Sequence, residues 1–288
     1  MQSFSFVKAS TIDEAIRLIA NDGTRVVAGG TDLVVEIKKK AIDLQEIVDI
    51  GGLKELQMIT VNENYLNVGA CSTFSTLSSS NEVKKYANGL FEAANTIGSP
   101  QIRNLGTLGG NMANASVAAD SIAPLMSLRS LVELESLDGK REVEAKKFFS
   151  QNKKDFLKSD EIITNIKIPL RADSYSTYVK LGKRKSLAIV VLGLAMNLII
   201  DKSKICQRAD IIVNAVSPLP VELSEIEECL IGKEFKENNW RRTLPLFQEA
   251  IIELIPNRAS MPFKKEAIKG VAIESFRRIE KMIVMEDE

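Results

Sequence analysis

The chain has 288 residues, 45% of them apolar, which is enough for real cores and leads us to expect about two domains. Its 38 basic and 38 acidic residues cancel, so no nucleic-acid or membrane partner is expected, because such binding needs a net or patterned basic field. There is no histidine, and Cys71, Cys206 and Cys229 are far apart, which argues against a zinc site or an iron–sulfur cluster held within the chain. The usual neutral-pH general base is missing too, so any redox chemistry must be carried by an organic cofactor. The cysteines read as ordinary buried thiols of a cytosolic protein. Met1 to Phe6 has no basic region leading into an apolar core, and the longest apolar run, Ala188 to Ile200, is too short to span a bilayer. A cytoplasmic location is expected.

In chain order, Thr11 to Ala20 reads as a helix. Thr11 and Glu14 have capping-box spacing, and Ile12, Ala15, Ile16 and Ile19 share a face. Arg25 to Ala28 reads as a short buried strand, broken by Gly29-Gly30-Thr31-Asp32, and Leu33 to Lys39 as a helix. Ile47 to Ile50 and Tyr65 to Ala70 are further strands. This βα alternation predicts α/β packing in the first half. Glu82 to Thr96 reads as one helix. The stretch Gly98 to Asn111, with its glycines and Pro100, is expected to form no regular element. Leu131 to Leu137 is a strand, turned at Asp138-Gly139 into Lys140 to Glu144.

After about residue 170 the character changes. Ile162 to Ile168 alternates, Ala188 to Ile200 is long enough for the middle of a sheet, and Asp201 to Lys204 turns into Ile205 to Val216. Helices are predicted over Glu222 to Leu230, Trp240 to Leu254 and Lys264 to Met282. Strands followed by helices suggest an α+β unit.

The chemistry concentrates in two glycine loops: Val26-Val27-Ala28-Gly29-Gly30-Thr31-Asp32-Leu33 and Thr107-Leu108-Gly109-Gly110-Asn111. Paired glycines let backbone approach a ligand and aim consecutive N–H groups one way, an anion-binding concavity. Thr31 and Thr107 add hydroxyl donors. Either loop alone reads more simply as a tight turn, since glycine is the default turn residue. Neither fits GxGxxG or GxxxxGK with Ser or Thr, so a standard Rossmann domain or ATPase is not expected.

Together, "AGGTDL" and "IRNLGTLGGNMANASVAAD" resemble the FAD-binding domain of molybdenum hydroxylases, the family of xanthine, nicotinate and carbon monoxide dehydrogenases. "YVKLGKRKSLAIVVLGLAMNL" and "ASMPFKKEAIKGVAIESFRRI" are similar to the start and the last helix of its C-terminal domain. The resemblance covers nearly the whole chain. It implies an α+β fold: an FAD-binding domain of the vanillyl-alcohol oxidase (PCMH) type, with two α/β subdomains, over residues 1–172, then a C-terminal α+β domain of antiparallel sheet and helices over 173–288.

The resemblance also implies which residues meet the FAD. Val26 through Leu33 and Thr107 through Asn111 match the two diphosphate loops, with Ile102 and Gly106 leading into the second. Asp120 matches an acidic contact, and Asn114 stands where the family often has Thr. Ile97 and Gly98 match the position beside the flavin ring, where xanthine enzymes carry a bulky aromatic residue from which Ile97 departs. Ile163 and Lys180 match two further contacts, from the C-terminal domain. By residue type alone, Asp120 also reads as a helix cap, Lys180 as a solvated charge and Ile163 as core packing. Lys38-Lys39-Lys40 and Lys183-Arg184-Lys185 read as solvated.

The implied function is electron transfer. A molybdopterin-containing large subunit hydroxylates the substrate, a small subunit with two 2Fe–2S clusters relays electrons, and this chain passes them through FAD to NAD(P)⁺ or another acceptor. No catalytic acid or base is expected among its side chains. "SPQIRNLGTLGGN" and "KLGKRKSLAI" look closest to nicotinate or purine hydroxylases, with a carbon monoxide dehydrogenase-like medium subunit as the alternative. Readings from other classes are a stand-alone FAD oxidoreductase, which would need a substrate domain the chain has no room for, and a non-enzymatic relative, against which the intact loops argue.

Overall fold

The computed structural model describes residues 4–39, 44–149, 157–184 and 187–287. The chain opens with β1 (Ser5–Lys8), α1 (Ile12–Ile19), β2 (Thr24–Val27), α2 (Leu33–Lys38) and β3 (Glu46–Asp49). β3 lies between β1 and β2, parallel to both. α1 starts where its capping box predicts. Thr11 Oγ1 accepts from Glu14 N–H at 3.1 Å, and Glu14 Oε2 accepts from Ser10 N–H at 2.7 Å. Ala15, Ile16 and Ile19 bury its inner face.

A second unit comprises β4 (Ile59–Val61), β5 (Tyr65–Gly69), α3 (Phe74–Leu77), α4 (Asn81–Tyr86), α5 (Asn88–Thr96), α6 (Pro100–Leu105), α7 (Leu108–Asn114), α8 (Ile122–Ser127), β6 (Leu131–Ser136), β7 (Gly139–Glu144), α9 (Ala145–Phe148) and β8 (Ile162–Pro169). Its five strands are antiparallel in the order β4-β5-β8-β6-β7. The parallel α/β pattern expected of the first half is thus confined to the small first sheet.

Two expectations fail here for local reasons. The single helix expected over Glu82 to Thr96 is broken at Ala87, whose φ of −145° and ψ of 52° are not helical. Gly98 to Asn111 is mostly helical. Ser99 accepts from Ile102 N–H to cap α6, Pro100 occupies its first turn, and Thr107 accepts from Gly110 N–H to cap α7. The small residues here are helix starts and a joint.

The last unit is β9 (Ser174–Gly182), β10 (Val190–Ile200), β11 (Cys206–Asn214), β12 (Val221–Glu222), α10 (Ser224–Leu230), α11 (Glu237–Trp240), α12 (Leu244–Leu254) and α13 (Met261–Asp287). Its sheet is antiparallel, ordered β12-β11-β10-β9, with the long β10 inside. Glu222 belongs to β12 rather than to a helix. The helix expected over Trp240 to Leu254 is three pieces, with a 3₁₀ turn at Arg241–Thr243 ahead of Pro245. Trp240 stacks on Phe276 at 5.0 Å between ring centroids. Among the described residues no helix is long and apolar enough to cross a membrane.

Strand alternation gives this sheet two buried faces. Leu192, Leu194, Met196 and Leu198 pack toward the helices, while Tyr178, Ala195 and Ile212 join the core of the second unit. At one corner of that junction lies Asp210, its side chain fully buried. It accepts from Arg129 Nε at 2.8 Å, Lys146 Nζ at 2.9 Å and Arg208 Nε at 2.8 Å. Burial pushes its carboxyl up, and the bonds from Arg129 and Lys146 outweigh this and hold it below the ordinary carboxylate range. A depressed folded-state pKa contributes stability above the unfolded value of 3.8 that is lost as pH falls through the folded value. Asp210→Ala, which leaves Arg129 and Arg208 without this carboxylate and Lys146 with Glu222 alone, is expected to lower unfolding free energy at pH 7 by about 3 kcal/mol. In denaturant melts the gap between variant and wild type narrows below pH ~4. A pH-independent gap would contradict this assignment.

Candidate functional site: a cavity between two loops and the last sheet

An open cavity of about 580 Å³ lies where the end of β2, the joint before α6, the start of α7 and the end of β9 meet. That is within the roughly 300–1,000 Å³ of small-molecule and cofactor sites. Its walls include Val26, Val27, Ala28, Gly29, Gly30, Thr31, Asp32 and Leu33 from the first loop. Opposite are Ile97, Gly98, Ile102, Gly106, Thr107, Gly110, Asn111 and Asn114, with Asp120 and Lys180 closing the depth. Val26 and Val27, in a strand expected to be buried, are only half-buried: both border the cavity, and Val26 also packs on the first unit's core.

Three of the residues singled out by sequence do not line it. Ile163 sits in β8 opposite Leu134, 4% exposed, in the core. Leu108 and Gly109 are buried, and their N–H groups donate to Ser72 O at 3.0 Å and Ala70 O at 2.8 Å. Sequence reasoning missed Glu36, Phe74, Ser116 and the segment Leu187 to Ile189, all in the lining. Leu187 to Ile189 overlaps the apolar run assigned to the central strand, which begins only at Val190. Arg184 donates from Nε and Nη2 to Leu187 O, at 3.1 and 2.8 Å, tying down that turn. Lys185 and Lys40 lie outside the described residues.

The glycines divide by what they face. A Cβ on Gly29 would lie 1.9 Å from Leu105 O, and one on Gly109 would lie 2.7 Å from Ala70 Cβ. Both are needed for backbone packing rather than for ligand approach. Gly30, at φ +67°, and Gly110 meet only side-chain atoms. The loops differ as donors too. In α7, Gly110 N–H goes to Thr107 Oγ1 at 3.2 Å and Asn111 N–H to Thr107 O at 3.0 Å, so this loop's donors are spent internally. The N–H groups of Gly29, Gly30, Thr31 and Asp32 donate to no protein acceptor among the described residues. Among the described residues, the loop whose N–H groups are free to face an anion is therefore the first. From the second loop, the Thr107 hydroxyl accepts from Gly110 and keeps its own proton to donate.

The floor carries a buried ion pair. Lys180 Nζ lies 2.6 Å from Asp120 Oδ2, with side chains 5% and 6% exposed. Asp120 does not cap α8, and Lys180 is not solvated. Lys180 also donates to Thr96 O at 3.1 Å, leaving one of its three protons for an acceptor in the cavity. Burial raises the Asp120 carboxyl, opposed by the charge and hydrogen bond of Lys180 and by the Tyr178 hydroxyl. Arg103 Nη1 donates to Ile97 O at 3.0 Å and Gly98 O at 3.4 Å. Cations thus hold the carbonyls of Thr96, Ile97 and Gly98, at and just past the C-terminal end of α5, where helix polarity favours them. The cysteines play no part here. Burial lifts the Cys71 thiol to about 12, with the Asp49 charge adding to it, and lifts Cys206 to about 11.

Unspent N–H groups, a free hydroxyl proton, one buried ammonium donor and the apolar walls of Val26, Ile97 and Ile102 fit a diphosphate bearing an aromatic ring. Comparison with known proteins agrees. The family described as FAD binding domain in molybdopterin dehydrogenase matches residues 2–171, and the CO dehydrogenase flavoprotein C-terminal domain matches residues 177–279. The chain belongs to the FAD-binding subunits of molybdopterin dehydrogenases. Its cofactor is FAD, and it is an oxidoreductase subunit. It is 36% identical over 278 residues to the nicotinate dehydrogenase FAD-subunit of Eubacterium barkeri, covering 94% of each chain. It is 28% identical to a xanthine dehydrogenase FAD-binding subunit of Escherichia coli, over 91% of this chain and 89% of that one. The fold matches a chain of carbon monoxide dehydrogenase from Hydrogenophaga pseudoflava with a TM-score of 0.84, at 24% identity, over 96% and 97% of the two chains.

Gly30→Val puts a β-branched side chain at positive φ in the loop whose N–H groups are free among the described residues. It is expected to weaken FAD binding at least ~10-fold while lowering folding stability by only about 1–2 kcal/mol. Flavin-fluorescence titration beside thermal melts of the flavin-free chain measures both. Undiminished FAD affinity would remove this loop from the site.

Proposed function

We propose that this chain is the electron-transfer subunit of a molybdenum hydroxylase acting on an N-heterocycle of the nicotinate or purine type. The observation that carries the reading is its 36% identity, over 94% of both chains, to a nicotinate dehydrogenase FAD-subunit. The chain receives electrons from the 2Fe–2S clusters of a small subunit, while a molybdopterin-containing large subunit hydroxylates the substrate. It delivers them to NAD(P)⁺ or another acceptor, in the cytoplasm.

Bound FAD supplies the step between one-electron donors and a two-electron acceptor. The protein supplies binding and electrostatics. The N–H groups of Gly29 to Asp32 and the Thr107 hydroxyl hold the diphosphate. Val26, Val27 and Ala28 form one wall, and Ile97, Gly98, Ile102 and Gly106 the other. Asn111 and Asn114 offer side-chain amides, though Asn111 Oδ1 already accepts from Ser121 at 2.7 Å. Asp120 and Lys180 set the charge at the floor. Leu33 extends the first wall, and Leu108, Gly109 and Ile163 support these surfaces from behind or beside. Ile97 stands where xanthine enzymes carry a bulky aromatic residue, and it supplies no ring of its own for stacking.

The test is turnover of the purified chain alone and with its co-purifying partners, using nicotinate and xanthine as substrates. The FAD-loaded chain alone is expected to turn over neither, and the complex to hydroxylate one of them. Turnover by the isolated, metal-free chain would contradict the division of labour, and a chain that co-purifies with no partner would favour a stand-alone flavoprotein.

A further inference from the structure

Behind the Asp120–Lys180 pair, the structure contains a polar connection that the binding reading does not use. Tyr178 is fully buried, and its hydroxyl donates to Asp120 Oδ1 at 2.7 Å. The same hydroxyl accepts from Asn214 Nδ2 at 3.3 Å. Asn214, on β11, is also fully buried.

The last sheet is built around this connection. Its registers align Lys180, Gly193 and Asn214 in one cross-strand row and Tyr178, Ala195 and Ile212 in the next. Small residues occupy the middle strand at both rows. A Cβ on Gly193 would lie 1.9 Å from Asn214 Oδ1 and 2.5 Å from the Tyr178 hydroxyl. Gly193 is not in a turn, and glycine weakens a strand interior. Its absent side chain is the space in which hydroxyl and amide meet.

Both carboxylate oxygens of Asp120 are engaged, Oδ2 by Lys180 and Oδ1 by Tyr178. A carboxylate held at both oxygens has a fixed plane. A buried hydrogen bond to an ionised group is among the stronger ones, because little water competes for it. Removing the Tyr178 hydroxyl would leave Oδ1 without its donor and let the carboxylate rotate about Lys180.

We propose that Tyr178, oriented by Asn214 in the slot left by Gly193, is a positioning residue that fixes the Asp120 carboxylate in the FAD cavity. The last sheet thereby sets the geometry of a site whose walls come mostly from the first two units. This rests on the reading of the cavity as the FAD site. The connection couples the two parts: FAD affinity depends on residues of β9, β10 and β11 that do not line the cavity.

The experiment is a double-mutant cycle on FAD affinity in the full chain, with Tyr178→Phe, Asp120→Asn and the double variant, read by flavin-fluorescence titration. Tyr178→Phe is expected to weaken FAD binding about 10-fold in the wild-type background and less than about 2-fold beside Asp120→Asn. Equal losses in both backgrounds, or no loss in either, would overturn the proposal, since a purely structural tyrosine acts independently of Asp120. Thermal melts of the flavin-free variants identify any that do not fold. If Tyr178→Phe is among them, Asn214→Ser replaces it, with about a 3-fold loss expected that again vanishes beside Asp120→Asn. If the wild-type chain takes up no FAD, both the cavity reading and this inference fail, whereas wild-type binding with an uncoupled cycle sinks the inference alone.

Discussion

The site depends on one close approach, that of Gly29 to the carbonyl of Leu105. No residue with a side chain fits there, since even a Cβ would penetrate that oxygen. This contact sets the first glycine loop against the joint between α6 and α7, and the gap left beside it is the cavity. Two short loops from different units would otherwise have no fixed spacing. Around the contact the work is divided. The second loop spends its N–H groups on its own helix cap and on Ala70 and Ser72, and so becomes rigid. The first keeps its N–H groups unspent among the described residues, and so leaves them available to a ligand.

The last sheet gives this cavity a charged floor. Bringing Lys180 and Asp120 together out of water is costly unless each is further hydrogen-bonded. Both are, Lys180 by Thr96 O and Asp120 by Tyr178. The same junction carries the Asp210 cluster at its far side. The sheet therefore meets the second unit through apolar residues in the middle and satisfied charges at both ends, which fixes its orientation as well as its contact.

Much of this was legible in the sequence where the signal is local. The Thr11–Glu14 capping box, the Asp138-Gly139 turn and the long strand before Ile200 all rest on residues within a few positions of each other. The first glycine loop was legible as well, because its breaks in pattern are unmistakable. Ser99-Pro100 and Thr107 were equally visible as helix-start signals, but the surrounding glycines outweighed them, and α6 and α7 were missed. The functional split between the loops was not legible. Whether Gly109 N–H is free depends on Ala70, far away in sequence and brought near only by the fold. Tyr178, Gly193 and Asn214 are likewise meaningful only once three strands are in register. Glycine in a run of apolar residues looks like an interruption, and nothing nearby reveals what fills its place.

The measurement that most directly tests the account is hydrogen–deuterium exchange of the full chain with and without FAD, resolved at the two loops. The account predicts that FAD slows exchange strongly at Gly29 to Asp32, whose N–H groups have no partner among the described residues, and leaves Leu108 to Asn111, already protected, nearly unchanged. Protection appearing at Leu108 to Asn111 instead, with Gly29 to Asp32 unaffected, would contradict it.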